Sequence, residues 1–302
     1  MPGRHATSPN RHRCDEAAVP CSGTRWRRQI PKPVRIIQLS DIHFGAEDPA
    51  AVNAAADYVT RTAFDLLLVT GDITQLGHHG EFALAGAWLA TLPGPKLATP
   101  GNHDTPWFGF LERITAPFQR YERAIGPAAQ GEFMSPVLAA WACNSARGWQ
   151  VRLNWSKGEV GRRQTENAIR HLRTASSEAA RVLICHHPLV ELPGAPMTSR
   201  VRGGRQAAAQ IAGAGVDLVV TGHLHVPFVQ PLPFADGLTY AVGAGTLSLR
   251  ERGAPPSFNV IEIDGDNLCV TAMAWKDQRL EPDQIWRAPL RARAAGAIGR
   301  RR

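Results

Sequence analysis

The stretch Val34-Arg35-Ile36-Ile37-Gln38-Leu39-Ser40-Asp41-Ile42-His43 decides how the rest of the chain is read. Its first six residues are short, rich in β-branched side chains and bounded by Pro33 and Ser40-Asp41, which predicts a strand. Asp41 and His43 then fall on the loop that leaves it. The same arrangement recurs four times downstream. Leu66-Leu67-Leu68-Val69 runs into Gly71-Asp72, and the weaker Lys96-Leu97-Ala98-Thr99 into Gly101-Asn102-His103-Asp104. Arg181-Val182-Leu183-Ile184-Cys185 runs into His186-His187-Pro188, and Asp217-Leu218-Val219-Val220-Thr221 into Gly222-His223-Leu224-His225. Continuous apolar runs of this length are what strands covered on both faces require. If the five strands lie side by side in one sheet, all five polar blocks open at one edge, where open α/β sheets bind ligands.

The intervening segments read as helices. Residues 49–62 begin with Pro49 and carry Val52, Ala56 and Val59 at helical spacing; residues 80–92 carry an apolar stripe that Pro93 ends. Residues 107–125, 161–176 and 205–214 read as further helices, and 137–143 as another buried strand. Beyond residue 221 strands follow one another, with a hairpin expected at Asp264-Gly265. Strands alternating with helices and then strands alone predict a layered α/β domain, a parallel sheet with an antiparallel extension.

A chain of 302 residues buries a large core in one or two domains. Its five cysteines (Cys14, Cys21, Cys143, Cys185, Cys269) are odd in number and lack C-x-x-C spacing, which argues against a disulfide framework and a structural zinc site. The net charge of +8 is not a basic stripe on the folded domain. Residues 1–33 contribute +5 and residues 286–302 contribute +6, which leaves −3 for the remainder. We therefore expect a disordered basic N-terminal tail over 1–33, a catalytic domain over 34–285 and a basic C-terminal tail over 286–302. The tails suit weak contact with an anionic surface; no stable nucleic-acid partner is expected. The paired arginines of Arg25-Trp26-Arg27-Arg28 are followed by no apolar targeting segment, and no stretch approaches the roughly 18 residues of a membrane span. A cytoplasmic protein is the expectation.

A set of two carboxylates, one asparagine amide and four imidazoles can be drawn from the five blocks. Imidazole suits Zn, Fe, Mn or Co, and carboxylate tolerates harder ions, so the set suits two divalent or trivalent transition-metal ions, Mn, Fe or Zn. Two metals about 3.5–4 Å apart need a ligand shared between them, and Asp72, alone on its loop, is the natural bridge. Residues at i and i+2, as in Asp41/His43 and His223/His225, turn to a common ion where the backbone kinks.

In these blocks the chain resembles the calcineurin-like metallophosphoesterase superfamily, whose pattern runs D-x-H, G-D, G-N-H-D/E, H, G-H-x-H. All five elements are present between residues 34 and 225. The resemblance implies a four-layered α/β/β/α sandwich of two mixed sheets flanked by helices. It implies that Asp41, His43, Asp72 and His225 hold one metal, and that Asp72, Asn102, His186 and His223 hold the other. His187 stays open as an alternative to His186. His103 would donate to the phosphate or protonate the leaving oxygen, with Asp104 orienting it. Gly158-Glu159-Val160 and Gly245-Thr246-Leu247-Ser248 are similar to the bacterial class III cyclic-nucleotide phosphodiesterase branch. The implied activity is hydrolysis of a phosphodiester such as a 3',5'-cyclic nucleotide by a metal-bridging hydroxide. The alternatives are a phosphomonoesterase, nuclease or lipid pyrophosphatase of the same superfamily, or a non-catalytic protein-binding scaffold. Arg147, Arg202 and Arg205 are candidates to hold an acidic group of a small-molecule phosphate ester.

Overall fold

A computed structural model describes residues 33–292 except 152, 153, 155, 199, 200 and 234. The tails expected over 1–33 and 286–302 therefore lie largely outside the described residues. In chain order the elements begin with β1 (Val34–Leu39), α1 (Pro49–Arg61), β2 (Leu66–Val69), α2 (His79–Thr91) and β3 (Lys96–Ala98). Next come α3 (Phe110–Thr115), α4 (Gln119–Ile125), a 3-10 turn (Gly126–Gln130), β4 (Glu132–Met134) and β5 (Leu138–Ala142). Then follow α5 (Arg162–Arg173), β6 (Ala180–Ile184), α6 (Gly204–Gly213) and β7 (Leu218–Thr221). The chain closes with β8 (Phe228–Pro231), β9 (Tyr240–Gly243), β10 (Ser257–Asp264), β11 (Asn267–Lys276) and β12 (Arg279–Pro289).

The five ligand-bearing strands do not share one sheet. One sheet has the order β12-β11-β10-β1-β2-β3, with β1, β2 and β3 parallel; the other has the order β4-β5-β6-β7-β9-β8, with β5, β6, β7 and β9 parallel. Alternation along each strand sets the layers. Ile36 of β1 and Leu68 of β2 meet Val182 of β6 and Val220 of β7 in a core between the sheets. Ile37, Leu39 and Leu67 face the other way, against Val52 and Val59 of α1 and Phe82 of α2. Leu183 and Val219 likewise face Leu172 of α5 and Ile211 of α6. The result is a four-layered α/β/β/α sandwich.

Gln38 breaks the apolar pattern on the inner face of β1, and its amide joins the sheets. Its Nε2 donates to Thr221 O at 2.8 Å and to Thr70 Oγ1 at 3.2 Å, and its Oε1 accepts from Asn259 Nδ2 at 3.0 Å. Asn259 donates also to Gly243 O at 2.9 Å. β1 and β10 are thereby tied to β7 and β9 at the end of the sandwich where the polar blocks emerge. Buried amides are stable only when bonded in this way.

Two boundaries differ from the sequence reading. The helix expected across 107–125 is two short helices, because Pro117 lacks an amide hydrogen to continue the first. Residues 286–291, expected in the tail, are part of the folded domain: β12 pairs with β11 through Pro289, Leu290 is buried, and Arg291 donates to both Asp236 oxygens. The run of exposed charged residues in β12 concealed an edge strand. Replacing Asn259 with alanine leaves the Gln38 carbonyl oxygen and the Gly243 carbonyl short of a buried donor; the expected cost is about 1–3 kcal/mol in a urea unfolding curve.

Candidate metal centre

Parallel strands deliver their C-terminal loops to one end, and the two sheets do so at the same end. β1 delivers Asp41 and His43, β2 Asp72, β3 Asn102 and His103, β6 His186 and His187, and β7 His223 and His225. The loops after β1 and β2 stay paired beyond the strands, through Asp41 N to Gly71 O and His43 N to Asp72 O, both 3.0 Å. Five of the seven expected ligands, Asp41, His43, Asp72, His223 and His225, have left-handed backbones with φ between 48° and 69°. Each costs about 1 kcal/mol or more for a residue with a side chain. The kinks turn donors on adjacent loops towards one point. Glycine is required beside them: a Cβ at Gly101 would fall on the Asp72 carboxylate, and one at Gly222 on Ser40 Oγ and Asp41 Oδ2.

Asp72 stands at the middle. Its Oδ1 accepts from the His103 amide at 2.8 Å, while its Oδ2 lies 3.2 Å from His186 Nε2 and 3.9 Å from His43 Nε2. Asp41 Oδ2 is held by Ser40 Oγ at 2.6 Å and His223 N at 2.9 Å, leaving Oδ1 3.2 Å from His225 Nε2. His43 Nε2 is 3.3 Å from His225 Nε2, and His223 Nδ1 is 3.2 Å from His186 Nε2. Asp41, His43 and His225 thus form one group of converging donors; Asp41, Asp72 and His186 form another.

Backbone carbonyls fix two of the imidazoles. His186 Nδ1 donates to Thr70 O at 2.9 Å and His225 Nδ1 to Arg250 O at 2.6 Å, because a carbonyl only accepts. Each neutral ring then points its Nε2 lone pair at a carboxylate oxygen 3.2 Å away. Lone pairs so placed repel unless a proton or a metal cation lies between them. Asp41 Oδ1, Asn102 Oδ1 and His223 Nε2 are moreover buried without a hydrogen-bond partner. Orphaned acceptors on a nitrogen and oxygen donor set fit transition-metal ions.

His186 and His187 are held differently. His187 Nε2 donates to Ser156 O at 2.8 Å and its Nδ1 accepts from Ser145 Oγ at 2.9 Å, although its ring also lies within the His186, His187 and His223 group of converging donors. The structure corrects the role expected of Asp104. Its carboxylate is turned away from the His103 ring and accepts from Gly101 N, Ile73 N, Thr74 N and Thr74 Oγ1 at 2.8–3.2 Å. Asp104 fastens the Asp72 loop to the Asn102 loop. Burial, with the Asp72 charge adding to it, pushes its carboxyl up to about 7 against those donors. His103 is oriented instead by Gln75 O, which accepts from its Nδ1 at 2.7 Å.

Arg147 does not reach the centre: its guanidinium donates to Asn144 O, Ala146 O and Gln164 Oε1. Arg205 lines a separate hollow beside Val201 and Gln206. The sequence reading passed over Arg250 and Arg252, which the loop after β9 brings to His103 and His223; no spacing rule marks them. Cys143 and Cys185 are buried, and burial raises both thiols, Cys143 to about 11, in keeping with core packing. Among the described residues no helix is long and apolar enough to cross a membrane.

Comparison with known proteins gives the same outline. Residues 34–227 match the calcineurin-like phosphoesterase family. A probable cyclic nucleotide phosphodiesterase of Synechococcus is 25% identical over 271 residues, 84% of this chain and 91% of that protein. The 3',5'-cyclic adenosine monophosphate phosphodiesterase CpdA of Escherichia coli is 27% identical over 173 residues, 52% of this chain and 56% of that protein. A dimetal phosphatase of Danio rerio has the same fold with a TM-score of 0.62 at 11% identity, covering 85% of this chain and 99% of that one.

Without metal, the charges at the centre have a definite balance. Burial opposes protonation of His186, but the Asp72 charge and hydrogen bond outweigh it and push the imidazole from 6.5 up to about 9. Burial also works against the Asp72 charge, yet His186 and His103 hold that carboxyl well below the usual range. A histidine raised in this way stabilises the fold fully below its ordinary value and loses that contribution as pH rises through the folded value. Chelator-treated protein is therefore expected to lose stability between pH 6.5 and about 9. Urea midpoints should fall across that window for the chelated protein, whereas chelated His186→Gln should keep only the part of the fall near pH 7 that the raised Asp104 carboxyl contributes and be flat above it.

Proposed function

Since the chain belongs to the calcineurin-like phosphoesterase family, and is a phosphoester hydrolase, we propose that it is a dinuclear metal-dependent phosphodiesterase acting on a 3',5'-cyclic nucleotide or a similar small diester in the cytoplasm. The observation that carries this reading is the convergence of donors from two sheets on Asp72, whose Oδ2 has an imidazole nitrogen on either side. Asp41, His43, Asp72 and His225 would hold one ion, and Asp72, Asn102, His186 and His223 the other. When bound, such a pair supplies a water of lowered pKa and Lewis acidity for the phosphoryl oxygens.

The protein's own residues do the rest. Thr70 O and Arg250 O hold His186 and His225 in the tautomer that leaves Nε2 bare. Asp104 and the His103 amide fix the Asn102 loop against Asp72, so that the donor set is preorganised. Beside Asn102 and His103 lies a cavity of about 690 Å³ that also has Trp107, Phe110 and Arg113 in its wall. That volume is within the roughly 300–1,000 Å³ of small-molecule sites. The exposed rings of Trp107 and Phe110, 62% and 65% accessible, offer faces on which a planar base stacks. A nucleotide bound there puts its phosphate at the donor cluster. The Synechococcus and Escherichia relatives are both described as cyclic-nucleotide phosphodiesterases, which supports the diester.

Purified protein loaded with Mn or Fe should hydrolyse bis-para-nitrophenyl phosphate and a 3',5'-cyclic nucleotide faster than para-nitrophenyl phosphate. A preference for the monoester in a side-by-side kcat/KM comparison would overturn the diester reading. Asp72→Ala should lose both metal, measured by plasma mass spectrometry, and turnover. His103→Ala should retain metal and lose about 100-fold or more in kcat. An emptied site in His103→Ala would place that residue among the ligands instead.

A further inference from the structure

The loop after β9 is fastened tightly to the centre. Thr246 Oγ1 donates to Asp41 O at 2.6 Å, Leu247 N to Asp41 O at 3.3 Å and Leu249 N to Ala46 O at 3.0 Å. It presents Arg250 and Arg252, and among the described residues neither has a carboxylate partner within 4.0 Å. Arg252 Nη1 donates to the His223 carbonyl at 2.9 Å, so it supports the loop of a candidate ligand. Arg250 is placed differently. Its carbonyl accepts from His225 Nδ1, while its Nη1 lies 3.0 Å from His103 Nε2 and 3.3 Å from Gln75 Oε1.

Those contacts settle what His103 offers. Its Nδ1 faces the Gln75 carbonyl, which only accepts, so that nitrogen carries the hydrogen. Its Nε2 faces a guanidinium, which only donates, so that nitrogen accepts. Neither ring nitrogen has a hydrogen left for a substrate oxygen. Arg250 has several: a guanidinium carries five N–H donors, and only those on Nη1 are engaged among the described residues.

We propose that Arg250, rather than His103, gives the hydrogen bonds to the oxygen that leaves phosphorus, and that His103 and Gln75 are positioning residues for its guanidinium. The proposal rests on the hydrolase reading above. In the reaction one P–O bond forms to the oxygen of water while the P–O bond to the alcohol breaks with its electron pair. The water's proton goes to solvent, and the departing alkoxide takes one from solvent. Arg250 stays protonated throughout and contributes charge and N–H groups, not a proton.

The contribution then scales with the charge that collects on the departing oxygen. The test uses full-length, metal-loaded protein and a series of methyl aryl phosphates whose phenols range from para-nitrophenol to unsubstituted phenol. Arg250→Ala should cost about 100- to 1,000-fold in kcat for the least acidic phenol, and much less for para-nitrophenol, so the dependence on leaving-group pKa steepens. Arg250→Lys should recover part of the loss. Both substitutions keep the main-chain carbonyl that holds His225, so metal content should not change. Independently of turnover, the affinity of the loaded protein for inorganic phosphate, measured by calorimetry, should fall about tenfold or more in Arg250→Ala. An equal loss for every leaving group with unchanged phosphate affinity would mean a merely structural role and overturn the proposal. If the wild type hydrolysed no diester, the diesterase reading would fail, and unchanged phosphate affinity in Arg250→Ala would sink the anion contact separately.

Discussion

The Asp72 carboxylate is the point on which the structure turns. One oxygen is held by the main chain of the loop after β3, and the other faces imidazoles delivered by β1 and by β6. Three loops on two sheets thus converge on one residue that is only 2% exposed. A buried carboxylate carries a desolvation penalty of several kcal/mol unless it is paired and bonded. Here the surrounding imidazoles keep it charged, and a charged, fully oriented oxygen is what a cation site needs. Gly101 exists at that spot because the backbone of the next loop must lie against the carboxylate with no side chain intervening.

Such convergence demands that two independent sheets keep a fixed relation at one end. The apolar core between them excludes water but is not directional. The amides of Gln38 and Asn259 supply direction, since each bond couples a strand of one sheet to a strand or loop of the other. A slip of either sheet would break both of these buried bonds at once, and this holds the donor loops in register.

Much of this was legible in the amino-acid sequence, and what escaped did so for physical reasons. β1 and β2 were read to the residue, because strands buried on both faces are continuous apolar runs with polar stops. The seven candidate ligands were legible because each follows such a run. Their division between two sheets was not, since periodicity reports which residues are buried and not which strand pairs with which. β4, β8 and β12 lie at sheet edges; β4 and β8 are too short to show a period, and in β12 exposed polar residues replace the apolar signal. The role of Asp104 was misread because adjacency in sequence does not fix where a side chain points: Asp104 turns inward while His103 turns to Gln75. Arg250 was invisible for a related reason, as its meaning depends on a loop fold 147 positions from its partner.

The pairing of β1 with β10 has a consequence for how the polypeptide matures. Val34 lies opposite Ile263, so the sheet that β1 begins waits for the distant β10 before its middle is closed. During synthesis β1, β2 and β3 emerge with an open backbone edge, and the other sheet completes its parallel strands before that edge finds its partner. Such late, long-range closure makes folding slow and leaves a transient strand open to wrong partners. β12, with Arg279, Glu281, Asp283 and Arg287 along it, then forms the rim of that sheet and makes it unattractive to other strands.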